Sequence, residues 1–300
     1  MRLTRELFKI KSGVLFFIRQ WQNEEGRSHF VAHHVSVSPA KAWESFLHDL
    51  YDDNARMLAA VDTRSYDGTV LDRGEAFEIG VNDRKVKGSC CDFLDALSKA
   101  SVEHRAEDVN PNATVIRGYN ENGDEVVIVI KHSPLMRLTH RFMRADHVYK
   151  AITDPVLTLS TKIDAVIVSG KLVFLTIAGA QMFVSESICR NIASEKIEEI
   201  RQVKYLAGMD HFEDVALKGV NVRRFLGYNE QRVVDLKRAV CREKIANKFG
   251  IAMKGNKLDL TNPDDADRFI RVVCNRGMLD PFDDKAVEVS SSKPWEKKRK

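Results

Sequence analysis

One catalytic pattern can be tested residue by residue. Asp164 lies in the apolar run Ile163–Val168, which reads as the first strand of a hairpin with Leu172–Ile177 as the second. A restriction-type nuclease core needs an acid on one strand and an acid and a lysine two apart on the next. Those groups hold Mg²⁺ beside the attacking water. Leu172-Val173-Phe174-Leu175-Thr176-Ile177 contains neither acid nor lysine. The pattern fails at that step, and Asp164 reads as a strand-edge or capping residue. The remaining motifs are absent: no glycine-rich phosphate loop, no Gly-x-Ser-x-Gly elbow, no His-Glu-x-x-His helix and no Cys/His cluster for zinc. His33 and His34 are neighbours on a strand and point to opposite faces, so they do not share a metal. Adjacent Cys90 and Cys91 resemble a redox pair, but on a helix they diverge by about 100° and read as ordinary small residues. No catalytic residue, metal ligand, cofactor or small-molecule substrate is therefore assigned. A metal-dependent nuclease with an unrecognised site stands as the alternative.

The chemistry that remains is that of clustered cations. Net charge is only +4, yet Met1–Asp214 holds 27 basic and 31 acidic residues, and Val215–Lys300 holds 20 and 12. Lys218–Leu258 alone has 11 Lys/Arg against 3 Asp/Glu, whereas Glu44–Glu125 has 18 acids against 9 bases. Such asymmetry points to a charged partner, either nucleic acid or an anionic membrane face, although a basic helix can also be a solvated surface. A lesser basic stripe is Arg137, Arg141 and Arg144, with His140 four residues before Arg144 on an expected helix. It suits phosphate contact or an exposed face.

The elements that must carry these residues follow from periodicity. Val14–Ile18 and Phe30–Val37 read as strands, Ser38-Pro39 opens a helix to about Leu58, Ala76–Val81 is a short strand and Asp92–Ala100 a short helix. Thr114–Arg117 and Val126–Ile130 flank an Asn-Gly turn, and the Asp164 hairpin turns at Ser169-Gly170. Their unbroken apolar runs predict strands covered on both faces. Pro134–Ala151 is read as a helix. Ser185, Asn229 and Asn262 are candidate N-caps; the Asn229 helix runs to about Phe249 with a stripe that changes face, so a kink or a second buried face is expected. The fold class is α+β: a mixed sheet of hairpins flanked by helices over 1–184, then a basic, mainly helical domain over 185–300. Forty-four per cent apolar and 30% charged residues exclude a disordered chain. Val14–Ile18 is far short of the ~20 residues of a membrane span, and five scattered cysteines argue against a disulfide framework. A soluble, intracellular protein is expected.

Three segments together resemble the KwaB-like proteins of the Kiwa anti-phage defence system. They are Val126–Ile130 leading into Ser133-Pro134, then Leu157–Leu175 followed by Gln181-Met182-Phe183, and Leu258–Arg271 continuing through Asn275–Pro281 to Val287–Lys293. The resemblance spans roughly residues 70–293. The chain departs from it at Asp283, Asp284 and Ala286, where members carry a Thr-Gly turn and an aromatic. The resemblance implies a cytoplasmic, dimeric partner of the membrane protein KwaA, recruited to the inner face of the membrane. It also implies binding of phage double-stranded DNA without strong sequence preference, which blocks replication and transcription; the absence of catalytic motifs, not the resemblance, leads to the expectation of no enzymatic activity. A membrane-docking adaptor is a further alternative. The family supplies no site residues. Charge density alone nominates Arg223, Arg224, Lys237, Arg238, Arg242, Lys244, Lys248, Lys254 and Lys257 as DNA contacts, with Arg137, Arg141 and Arg144 secondary.

Overall fold

The computed structural model describes residues 9–10, 12–24, 28–37, 40–59, 62–68, 75–102, 111–132, 142–145, 148–151, 160–279 and 286–288. The chain divides into two compact units, Met1–Ser65 with Arg73–Val184, and Tyr66–Asp72 with Ser185–Lys300. The fold is α+β.

The first unit contains β1 (Ser12–Gln22), β2 (Ser28–Val35), α1 (Ala40–Ala59), β3 (Asp62–Ser65), β4 (Glu75–Gly80), α2 (Lys87–Ser98) and β5 (Ser101–Val102). It continues through β6 (Ala113–Tyr119), β7 (Glu125–Lys131), β8 (Phe142–Ala145), β9 (Val148–Ala151), β10 (Ala165–Val168), β11 (Lys171–Phe174) and α3 (Ile177–Phe183). Among the described residues, nine strands form one sheet, in the order β3-β4-β11-β10-β7-β6-β1-β2-β5. The inner pairs are antiparallel, and the outer pairs β2–β5 and β3–β4 are parallel.

The central strands are apolar on both sides, as their uninterrupted runs predict. Val126, Ile128 and Ile130 join Leu47, Leu50 and Tyr51 of α1 in one cluster, and the alternate Val127 and Val129 are equally buried. Phe93 of α2 and Phe183 of α3 meet edge to face at 5.1 Å, and each also packs on Phe30. The β10–β11 turn needs two positive φ angles, which Ser169 (49°) and Gly170 (71°) supply.

Two expectations for this unit are corrected. The strand read as Leu172–Ile177 ends at Phe174, because the Thr176 side chain caps α3 by accepting from the Gly179 N–H. The helix expected over Pro134–Ala151 is a hairpin across its described part, with Ala145 opposite Val148 and Phe142 opposite Ala151. Phe142, Val148 and Tyr149 are strand-favouring residues, and backbone pairing satisfied there outweighs a loose helical stripe. The remainder of that segment, 133–141, lies outside the described residues.

The second unit contains α4 (Glu186–Arg201), β12 (Leu206–Ala207), α5 (Met209–Ala216), α6 (Asn221–Arg224), α7 (Glu230–Asp235), α8 (Ala239–Phe249), β13 (Met253–Lys254), β14 (Lys257–Asp259), α9 (Pro263–Val273), β15 (Gly277–Leu279) and β16 (Ala286–Glu288). Ser185, Asn229 and Asn262 cap α4, α7 and α9, each accepting a backbone N–H of the first turn. Phe212 of α5 and Phe269 of α9 meet edge to face at 5.7 Å in the core. The single helix expected from Asn229 to Phe249 is two helices. Arg238 is extended (φ −84°, ψ 124°), so Val233 and Leu236 stay buried whereas Val240 turns out to solvent at 74% exposure. Arg242 and Ala246 occupy the buried side of α8 instead.

Candidate nucleic-acid interface

The nine nominated cations separate into structural and available groups. Arg224 is buried; it donates to Asn221 Oδ1 and pairs with Asp267 at 2.8 Å. Arg271 pairs with the other oxygen of the same carboxylate at 2.6 Å. Arg242 is 4% exposed. Its Nη1 donates to the Leu236 carbonyl at 2.5 Å and the Lys237 carbonyl at 3.1 Å, and its Nε donates to the Asn256 carbonyl at 2.8 Å. Its guanidinium also lies 4.2 Å from the Tyr205 ring centroid. Neither arginine can reach a phosphate, which corrects their nomination as DNA contacts. Density of charge in a sequence does not report which guanidinium groups are committed to backbone carbonyls. Arg223 is half-buried beside Tyr66 and Cys189, where its charge partly opposes the upward pull of burial on both groups' pKa values.

Lys237, Arg238, Lys244, Lys254 and Lys257 are exposed, and Lys248 is half-buried. Arg238 pairs with Asp235 at 2.9 Å, but its side chain is 66% exposed. A pair that open to water is worth ~1 kcal/mol or less and can be exchanged for phosphate. Buried Arg242 explains how distant cations come together. By holding the carbonyls of Lys237 and Asn256 on one guanidinium, it ties the end of α7 to the β13–β14 turn. In that hairpin Lys254 lies directly opposite Lys257. Residues 236–258 contain seven Lys/Arg and one acid, Glu243. Sequence reasoning missed Lys204, which is exposed before β12 and shares a cleft with Lys237. Its one legible signal was the neighbouring Tyr205.

Of the secondary stripe, Arg137 and Arg141 lie outside the described residues. Arg144 is on strand β8, so the helical spacing that grouped it with them does not hold.

Asp164 is a structural clamp in the first unit. One carboxylate oxygen accepts the Lys131 N–H at 2.7 Å, and the other accepts the Thr176 hydroxyl at 2.5 Å. Its own backbone N–H donates to the Val129 carbonyl, and its carbonyl accepts from Leu175 and Thr176. Gly179 approaches that carbonyl so closely that a Cβ would lie 2.2 Å from it. Both carboxylate oxygens thus join β7, β10 and the start of α3. Among the described residues, no group of three or more His, Cys, Asp or Glu side chains is placed to hold a metal ion.

A family model described as "Kiwa protein KwaB-like" matches residues 122–278, just over half of the chain. The chain belongs to the KwaB-like family. The match to this Kiwa anti-phage defence family includes Asp164 and all nine nominated cations. No curated protein and no solved structure matches the chain. Among the described residues, no helix of this KwaB-like protein is long and apolar enough to cross a membrane.

Proposed function

We propose that the protein is the DNA-binding effector of a Kiwa-type defence system. It binds phage double-stranded DNA without strong sequence preference and blocks replication and transcription by occupancy, not by cutting. The observation that carries this reading is the exposed set Lys237, Arg238, Lys244, Lys254 and Lys257, gathered on the second unit with a single acid in the same stretch. Cations of this kind neutralise phosphates and release counterions, which requires no base readout. The protein acts as a homodimer in the cytoplasm, and a KwaA-like membrane protein brings it to the inner face of the membrane. A dimer doubles the cationic surface.

The test is a salt-titrated gel shift on plasmid DNA with Mg²⁺ present, comparing wild type with Lys237→Glu/Arg238→Glu/Lys244→Glu. Six engaged phosphates per protomer give a log–log salt slope of about −5, or roughly 10³-fold weaker binding between 50 and 200 mM salt. The triple variant should lose about three units of slope. Intact, shifted DNA supports occupancy. Nicked plasmid replaces this reading with the nuclease, and no shift at low salt removes intrinsic DNA binding.

A further inference from the structure

Lys237 also borders a cleft that duplex binding does not use. The end of α4, the Lys204–Tyr205 turn, Tyr228 and one side of α7 enclose an open space of about 480 Å³, within the ~300–1,000 Å³ range of small-ligand sites. Its lining is mixed in a particular way. Tyr205, Tyr228 and three valines supply aromatic and apolar surface, Glu199 and Glu230 supply acceptors, and Lys204 and Lys237 supply positive charge. Glu199 is already engaged by Lys196 at 2.5 Å and by the Tyr228 side chain, whereas Glu230 is exposed. Arg242 braces the cleft from behind, since it stacks on Tyr205 and holds the Lys237 carbonyl.

These groups restrict the occupant. A simple anion meets two glutamates, a simple cation meets two lysines, and an apolar ligand leaves every charge unanswered. A nucleotide answers all three: a flat ring for the tyrosines and valines, exocyclic amino groups for Glu230, and a phosphate for Lys204 and Lys237. We propose that this cleft binds one unpaired nucleotide, with its base against Tyr205 and Tyr228 and its phosphate on Lys204 and Lys237. The strand form of the proposal rests on the DNA-binding reading above, because the duplex reaches Lys237 first and a base freed at a gap or end then enters. The same chemistry is offered by a free mononucleotide.

The test uses the full chain and two DNAs of equal phosphate number. One is a blunt duplex with 2-aminopurine paired inside; the other has a short overhang with 2-aminopurine unpaired. A third arm titrates dAMP alone. Base–aromatic stacking predicts roughly tenfold tighter binding of the overhang, with its fluorescence quenched on binding. Glu230→Gln should remove most of that preference and leave blunt-duplex affinity unchanged; Tyr205→Leu, which also loses the Arg242 stack, should remove the preference when measured at a temperature where the variant is folded. The exposed Glu230→Gln carries little risk to folding. If dAMP binds but the overhang gains nothing over blunt DNA, the cleft takes free nucleotide and the proposal holds in that form. If both DNAs bind equally without quenching and dAMP does not bind, the cleft proposal is overturned and the duplex reading stands. If nothing binds, both are overturned.

Discussion

Arg242 separates the structural account from one based on charge alone. Arg242→Ala removes donors to three carbonyls and the cation over Tyr205. Two of those carbonyls, Leu236 and Lys237, follow the last turn of α7, where carbonyls lack intrahelical partners and a cation is favoured by the helix dipole. Hydrogen bonds from a charged donor contribute about 1.5–3 kcal/mol each, and an acceptor left buried without one costs about 1–3 kcal/mol. Only Leu236 among the three is fully buried; the carbonyls of exposed Lys237 and Asn256 can turn to water. A desolvated cation–π contact adds about 2 kcal/mol. Against these stands the relief of no longer burying a guanidinium. The expected net loss is about 3 kcal/mol, a fall in Tm of roughly 10 °C. Arg242→Lys should recover only part of it, since an ammonium cannot serve three carbonyls and stack as a planar fork does. Urea unfolding of wild type and both variants measures the loss, and the salt slope of DNA binding at a temperature where each is folded supplies the second readout. A phosphate contact behaves in the opposite way. If Arg242→Ala changes stability by less than ~0.5 kcal/mol and lowers the slope by about one unit, the structural role is refuted.

Asp164→Ala should destabilise the protein by about 2–3 kcal/mol, because the Lys131 N–H and the Thr176 hydroxyl both lose their acceptor; denaturant titration reads the loss, and an unchanged midpoint would contradict the clamp. His132 contacts Thr114 Oγ1 at 2.7 Å and the Pro111 carbonyl at 3.1 Å, and burial holds its pKa below the ordinary 6.5. As pH falls through 6.5 the unfolded chain binds a proton that the native ring does not, so stability is lost downward from that value. His132→Gln should flatten that part of the stability–pH profile relative to wild type. Burial pushes the Cys90 and Cys274 thiols up to about 12 and raises that of Cys189, whereas Cys91 is exposed and Cys241 half-buried. A native thiol titration should therefore modify Cys91 and Cys241 promptly and the other three only with unfolding; five equal rates would contradict the burial.

Much of the architecture was legible because it depends on neighbours in sequence. Ser185, Asn229 and Asn262 cap helices through their own first-turn N–H groups, and the Ser169-Gly170 turn closes through local φ angles. The double-sided burial of Val126–Ile130 follows from a run with no polar alternate. Where the reading failed, a local preference was nearly balanced and the tertiary partner decided. Phe142–Ala151 carried a tolerable helical stripe but pairs as a hairpin, and the Asn229–Phe249 stripe changed face because the chain turns at Leu236–Arg238.

The candidate site divides along the same line. Sequence alone determined that the second half is the cationic one, because charge count needs no coordinates. It could not decide which charges face solvent, because Arg224 and Arg242 look no different from Lys237 and Lys257 until Asp267 and three carbonyls from α7 and the hairpin turn are placed beside them. Nor could it join Lys204 and Tyr205 to Tyr228 and Lys237, which are far apart along the chain and meet only around one cleft of the folded second unit. An ion pair or a hydrogen bond acts over a few ångströms whatever the sequence separation, and that distance exists only in the folded chain.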